Sequence, residues 1–310
     1  MTVHESAVRQ RVPRRPLADG AAARLAWRET RPCVQVIFAL RFLAGALLAG
    51  GTVSGWRLLT AGVGWSCVVA AIYLHNGTTD VVEDRRNGSA RPLATGELPL
   101  PAARAIVRGL AVAGLTIAAL ADPREALLAL AMLALGFAYS SGRAPLKGSM
   151  PGFALVVLGG GMLTYTAGGL TTSGGPTLES AVFALFLSAW MAVAGSSKDL
   201  SDTDGDRSAG RRTLPVMFGQ ESAARMIAAG TLTVGALFVA VAVHVGDNLI
   251  WYALPLAAGA AVTAATLLRT RRATLRADRR LPYRSFMVTQ FLVHGTVLAV
   301  YAATAGLLVA

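Results

Sequence analysis

Apolar residues run through this chain in long blocks, with short polar links between them, and not in alternation. Nine blocks read as helical spans: 33–50, 58–74, 102–121, 126–139, 153–170, 178–194, 222–243, 249–268 and 285–309. Several reach the ~20 residues that a helix needs to cross a bilayer. A membrane barrel would show short alternating strands instead. Only elements that satisfy their own backbone polar groups survive in hydrocarbon. The pattern therefore predicts an all-α, polytopic membrane protein: a bundle of nine transmembrane helices around a central cavity. The links at 121–125 and 244–248 are short, so each joins two antiparallel neighbours. A basic arm, residues 1–32, precedes the helical domain at 33–310. Residues 1–31 hold seven Arg and no apolar segment of their own, unlike a signal peptide.

Composition agrees. Of 310 residues, 54% are hydrophobic and only 15% charged, too few charges for a water-facing surface of this size. The net charge of +12 sits in short links between spans, which points to topology and anionic lipid and away from nucleic acid. With the N-terminus cytoplasmic, the links on that side are 76–100, 140–150, 195–221 and 269–284. The last holds seven Arg and one Asp, whereas the opposite side offers only Arg57 and Arg124. The expected protein is integral to a membrane, such as a bacterial plasma membrane, with its N-terminus inside and its C-terminus outside. Cys33 and Cys67 lie in apolar runs without metal-ligand spacing and read as packing residues.

Two acidic stretches interrupt this picture. In "HNGTTDVVEDRRNG", 75–88, Asn76, Asp80 and Asp84 recur every four residues and share one face of a helix. They span about 12 Å at the helical rise. Glu83 falls off that face. In "KDLSDTDGDRSAGRRTLPV", 198–216, Asp202 and Asp206 are again four apart, Asp199 lies three before Asp202, and Asp204 points elsewhere, to solvent. Both stretches fall at span ends on the same, cytoplasmic side. Like charges at this spacing destabilise a bare helix, and a cation offsets the cost. Carboxylate oxygens suit Mg²⁺, which keeps waters and binds through a few carboxylates plus substrate phosphates. Arg85, Arg91, Lys147, Lys198, Arg211 and Arg212 stand near enough in sequence to touch such phosphates. The plainer alternative is an acidic surface that balances adjacent arginines. The loops at 87–99 and 208–219, rich in small residues, serve either as covers or as ordinary connectors.

"N-xxx-D-xxx-D" followed by "RPL-xx-G", and "KD-xx-D-xx-GDR-xx-G-xx-TLPV-xx-G", resemble the UbiA superfamily of intramembrane prenyltransferases. The span count, Arg31-Pro32 before the first span and "YSSGRAPLKG" at 139–148 are similar to that family too. The resemblance covers nearly the whole chain. It implies Mg²⁺-dependent ionisation of an allylic prenyl diphosphate and prenyl transfer to an aromatic or other lipophilic acceptor. By that likeness Asn76, Asp80, Asp84, Asp202 and Asp206 hold Mg²⁺-diphosphate, and Asp199 is a secondary ligand or a base. Arg91 and Lys147 bind phosphate by the same likeness, and Tyr139 is a further substrate contact; Lys198 and Arg41 join them as candidates by position alone. The Lys198-Asp199 opening looks more like the quinone, tocopherol, chlorophyll and archaeal-lipid branches than the 4-hydroxybenzoate branch.

Other residues carry less. Arg41 lies inside the first span, where a charge marks a functional site by default, though snorkelling or a pairing acid explains it as well. Arg104 and Arg108 reach headgroups. His75 reads as a helix-end residue, and His294 shows no partner pattern. There is no phosphate-binding P-loop, serine-hydrolase elbow or His/Cys metal cluster. Two other functions remain open: a terpene cyclase using the same diphosphate site, and a transporter. No protein partner is implied.

Overall fold

The computed structural model describes residues 20–246 and 248–305. Most of the expected basic arm, residues 1–19, and the end of the last span, 306–309, lie outside the described residues.

Among the described residues fifteen α-helices follow one another: α1 Ala21–Glu29, α2 Pro32–Leu47, α3 Gly55–Thr79, α4 Val81–Arg86, α5 Pro92–Thr95, α6 Leu100–Ala121, α7 Pro123–Ser140 and α8 Met150–Leu170. After them come α9 Leu178–Ala194, α10 Thr203–Ser208, α11 Leu214–Phe218, α12 Gln220–Val245, α13 Leu249–Thr270, α14 Arg276–Arg279 and α15 Leu281–Thr304. Among the described residues there is no strand, only isolated bridges. The all-α architecture is as expected, and within the described residues each predicted block falls on one helix, except that 48–50 run past the end of α2 and 305 past the end of α15. The count of nine spans is approximate. Among the described residues seven spans are long and apolar enough to cross a membrane, one of them α9 together with the 3₁₀ turn that follows it, and α1 with α2, bent by 70°, makes an eighth if the pair is one span. The eighteen-residue α7 falls short because it opens with Arg124 and Glu125.

Local signals set the helix starts. Pro32, Pro123 and Pro282 occupy first turns, where a missing N–H costs nothing. Asp122 caps α7 by accepting the Arg124 N–H at 2.8 Å. Thr177 and Ser180 form a reciprocal capping box on α9.

Glycine governs one close approach. A Cβ on Gly168 of α8 would run into the Phe42 carbonyl of α2, and one on Gly45 would run into the Tyr165 backbone. Small residues let membrane helices pack backbone to backbone in this way. One core cluster gathers around Phe183, Trp190, Phe238 and Leu256, and a second around Phe42, Trp65 and Val68. Leu120, Leu127 and Val112 face outward, as lipid-facing helices require.

The helices break where the acids lie. Asp80 separates α3 from α4 with φ −94° and ψ 6°. Asp202 separates a 3₁₀ segment, Gly195–Ser201, from α10 with φ −116° and ψ 11°. The two acidic stretches thus share a local fold, helix–break–short helix, and α4 and α10 meet across the site.

Candidate active site

A cavity of about 210 Å³ lies between these two breaks. Asn76, Asp80, Glu83 and Asp84 line it from one side, and Asp199, Asp202 and Asp206 from the other. Its inner wall is apolar, with Phe38, Ile72, Met132, Phe153, Met191 and Phe286, and Gly160 and Gly161 leave it open. The structure therefore brings together all five predicted carboxylates besides Asn76, and adds Lys198, Tyr139 and Arg41 to the same lining. Arg91 and Lys147 do not line the cavity; they reach it through the acids they hold.

Each carboxylate that lines the cavity is paired with a cation. Lys147 bonds Asp80 and also donates to Thr79 Oγ1 at 3.0 Å. Arg211 stitches the two stretches together, reaching Asp80 at 3.0 Å, Glu83 at 2.7 Å and Asp206 at 3.2 Å. Arg91 holds Asp84 at 2.6 Å, and Arg276 holds Asp202 at 3.0 Å. Lys198 lies 4.0 Å from Asp199. Asp204 lies outside the cavity lining and pairs with Arg207 at 3.9 Å; its side chain is 91% exposed, facing solvent as expected.

These pairings set the charge states. Burial pushes Asp80 up, but Lys147, the Glu83 hydrogen bond and Arg211 outweigh it and hold Asp80 at about 2. Burial and the Asp80 hydrogen bond push Glu83 up to about 7, against Arg211. Asp206 is raised by burial despite Lys198 and Arg211.

Three expectations need correction. Glu83 was set aside because it leaves the face shared by Asn76, Asp80 and Asp84. That reasoning assumed one continuous helix, and the break at Asp80 turns Glu83 into the cavity instead. Arg85, one of the cations near enough in sequence to touch phosphate, does not line the cavity and donates to the Ala94 carbonyl at 2.9 Å, beside the 87–99 loop. His294, read as having no partner pattern, meets Tyr165 Oη at 2.9 Å and the Gln290 carbonyl at 2.6 Å.

Arg41 lies about 14 Å along α2 from Pro32 at the helical rise. It is buried, bonds Gln290 Oε1 through Nη2 and sits 4.6 Å from the Phe38 ring centroid. No ion pair joins it to an acid among the described residues. His75 bonds Ser141 Oγ at 2.6 Å and stacks on Phe137. Asn76 Nδ2 donates to Ser140 Oγ at 3.1 Å, which leaves its carbonyl oxygen for a ligand.

Sequence reasoning missed two further residues. Glu29 is fully buried, accepts the Leu93 N–H at 2.9 Å and pairs with Arg91 at 2.7 Å. Arg31 lines the cavity and is the one non-glycine residue with positive φ, +60°, among the described residues. Such backbone strain collects at functional sites. The Arg31-Pro32 pair was the available signal for it; Glu29 had none.

Among the described residues, no three His, Cys, Asp or Glu side chains cluster tightly enough to hold a metal by themselves. Asp206 Oδ2 is buried without any hydrogen-bond partner. Hard oxygens on two facing segments, one of them unsatisfied, fit an ion that completes its sphere with water and substrate phosphate.

An apolar bundle enclosing a cavity with carboxylates and cations at one end defines a membrane-embedded helical enzyme. The chain belongs to the UbiA prenyltransferase family, whose family model matches residues 38–292. It is accordingly a prenyltransferase and an integral membrane protein. Over 200 residues it is 32% identical to the digeranylgeranylglyceryl phosphate synthase of Methanoculleus marisnigri, covering 62% of this chain and 67% of the relative. Its fold is similar to that of a UbiA homolog from Archaeoglobus fulgidus bound to GPP and Mg²⁺: TM-score 0.71, 19% identity, 90% of this chain and 99% of the other. It is also similar to the apo UbiA homolog from Aeropyrum pernix K1: TM-score 0.59, 20% identity, 85% and 96% covered.

Proposed function

We propose that the protein transfers a prenyl group from an allylic prenyl diphosphate to a lipophilic acceptor within the membrane, with Mg²⁺ bound, and releases diphosphate. The observation that carries this reading is the two-part cavity: a rim of carboxylates and cations on an apolar, glycine-opened interior. A diphosphate needs the first part and an isoprenoid tail the second. The matched relative is named for a digeranylgeranylglyceryl phosphate, so a lipid glyceryl phosphate stands beside an aromatic ring as acceptor.

Asn76, Asp80, Asp84, Asp202 and Asp206 would hold the metal, with the free Asp206 oxygen as one ligand. Mg²⁺ supplies charge neutralisation to the leaving diphosphate. Lys147, Arg91, Arg211 and Lys198 bind phosphate oxygens when they turn from their carboxylate partners, and so stabilise charge that grows as the C–O bond breaks. Phe38, Phe153 and Phe286 keep water from the allylic cation, and Tyr139 presents its ring to it. Arg41 contacts substrate at the inner end. The charged rim faces the cytoplasm, with the N-terminus on the same side.

The test uses detergent-purified protein with Mg²⁺ and geranyl, farnesyl or geranylgeranyl diphosphate. 4-Hydroxybenzoate, a hydroquinone or geranylgeranylglyceryl phosphate serves as acceptor, and products are identified by mass. A prenylated acceptor supports the reading. A cyclic hydrocarbon or alcohol formed without acceptor would identify a terpene cyclase. Absence of diphosphate release with every combination would overturn both and favour a transporter.

A further inference from the structure

Behind the candidate active site lies a second cavity of about 300 Å³. The two share a wall, because Tyr139, Phe153, Lys198, Asp199 and Arg211 line both. Beyond that wall the second cavity is bounded by Ala154 of α8, Val193 of α9 and Ile227 and Gly230 of α12. Met226, 46% exposed, stands at its rim on the outer face of α12. Ser149, Ser196 and Lys147 supply polar groups.

We propose that this second cavity is the acceptor site, entered from lipid past Met226 by a lipophilic molecule with a small polar head. The inference rests on the transferase reading above. Group transfer needs both substrates bound at once with their reacting atoms in contact. In that reading the main cavity takes the diphosphate at its rim and the tail in its interior. The second cavity has an apolar wall suited to a lipophilic body, and Asp199 is the one carboxylate in its lining.

The partition is thin. Phe153, one of the five side chains of the shared wall, has the Lys198 ammonium 5.6 Å from its ring centroid; for the reacting atoms to meet, side chains of this wall must turn aside. Asp199 faces both. In the step, the bond between prenyl C1 and the diphosphate oxygen breaks and its electron pair leaves with diphosphate. C1 bonds to the nucleophilic atom of the acceptor, and the acceptor's proton passes to the Asp199 carboxylate.

The experiment places a cysteine at the cavity wall, Ala154→Cys, in a background of Cys33→Ala and Cys67→Ala. Benzyl methanethiosulfonate fills the cavity, and dithiothreitol empties it again. Transfer from geranyl diphosphate is measured with whichever acceptor named above is prenylated, and geranyl diphosphate binding is measured by thermal shift with Mg²⁺. Modification should raise the acceptor KM at least tenfold, leave the geranyl diphosphate shift unchanged and be reversed by dithiothreitol. Met226→Trp, at the rim, should raise acceptor KM in the same direction. An unaltered acceptor KM after modification would overturn the proposal and mark the cavity as a lipid-filled crevice. A parallel loss of the geranyl diphosphate shift would overturn it too, assigning the space to the prenyl substrate. The unmodified variant separates the two readings: if it transfers no prenyl group to any acceptor, the transferase reading fails and this one falls with it.

Discussion

Removing Glu29 is a demanding perturbation, because its carboxylate lies outside the motif acids yet holds one of them in place. Glu29→Ala breaks the 2.7 Å pair with Arg91 and strands the Leu93 N–H that now donates to it at 2.9 Å. It also empties the space over Gly77, where the Glu29 carboxylate lies against the helix. Breaking one partner of a buried pair costs about 3–5 kcal/mol, and a stranded buried donor about 1–3 kcal/mol. Arg91 keeps Asp84 at 2.6 Å and the Glu29 carbonyl at 3.1 Å, so part of that loss is recovered. A net destabilisation of about 3 kcal/mol follows, equivalent to roughly 5 °C in Tm for a chain of this size. Glu29→Gln keeps the Leu93 hydrogen bond and should lose about half as much. Thermal unfolding in detergent, followed by tryptophan fluorescence, measures both. A Glu29→Ala Tm within about 2 °C of wild type would refute the reasoning, since a buried pair cannot vanish at so little cost.

Other outcomes follow from the same structure. Gly168→Ala drives a methyl into the Phe42 carbonyl, a backbone atom that has no rotamer to move; a loss of about 1–3 kcal/mol is expected in the same unfolding assay. Arg211→Ala releases three carboxylates at once, and should cut turnover at least about tenfold while raising the Mg²⁺ needed for half-maximal rate. Asp122, on the link between α6 and α7, is held at about 2 by its Arg124 hydrogen bonds, with burial opposing and Arg57 adding to them. The unfolded chain therefore takes up the proton first, so this stability is full above 3.8 and lost as pH falls toward 2. Asp122→Asn should flatten the Tm–pH curve across that window. EDTA should silence turnover, and added Mg²⁺ should restore it.

How much was legible depended on whether a residue's meaning lay in its near neighbours. Asp80 and Asp202 were readable because acids at spacing four beside apolar blocks have few cheap explanations, and positive-charge bias placed both stretches on one side. The helical blocks were readable for the same reason, since apolar length is a local property. Glu83 was lost because spacing arguments presume an unbroken helix, whereas α3 and α4 are separated at Asp80. Glu29 was beyond reach, since its partner Arg91 is 62 residues away. The partnering of Asp202 with Arg276 spans 74 residues, and in sequence Arg276 is one of seven arginines in a loop that topology alone explains. Arg41 was flagged as an intramembrane charge, but its bond to Gln290 required α2 and α15 to meet.

The central claim is that two facing acidic breaks form one Mg²⁺-diphosphate site on an apolar cavity. The most direct measurement is diphosphate release from geranyl diphosphate by purified protein with acceptor, comparing wild type with Asp80→Ala and Asp202→Ala, with and without Mg²⁺. Wild type should release diphosphate only with Mg²⁺, and each variant should fall at least about a hundredfold while remaining folded by size-exclusion profile. A folded variant that kept near wild-type release in Mg²⁺ would contradict the claim.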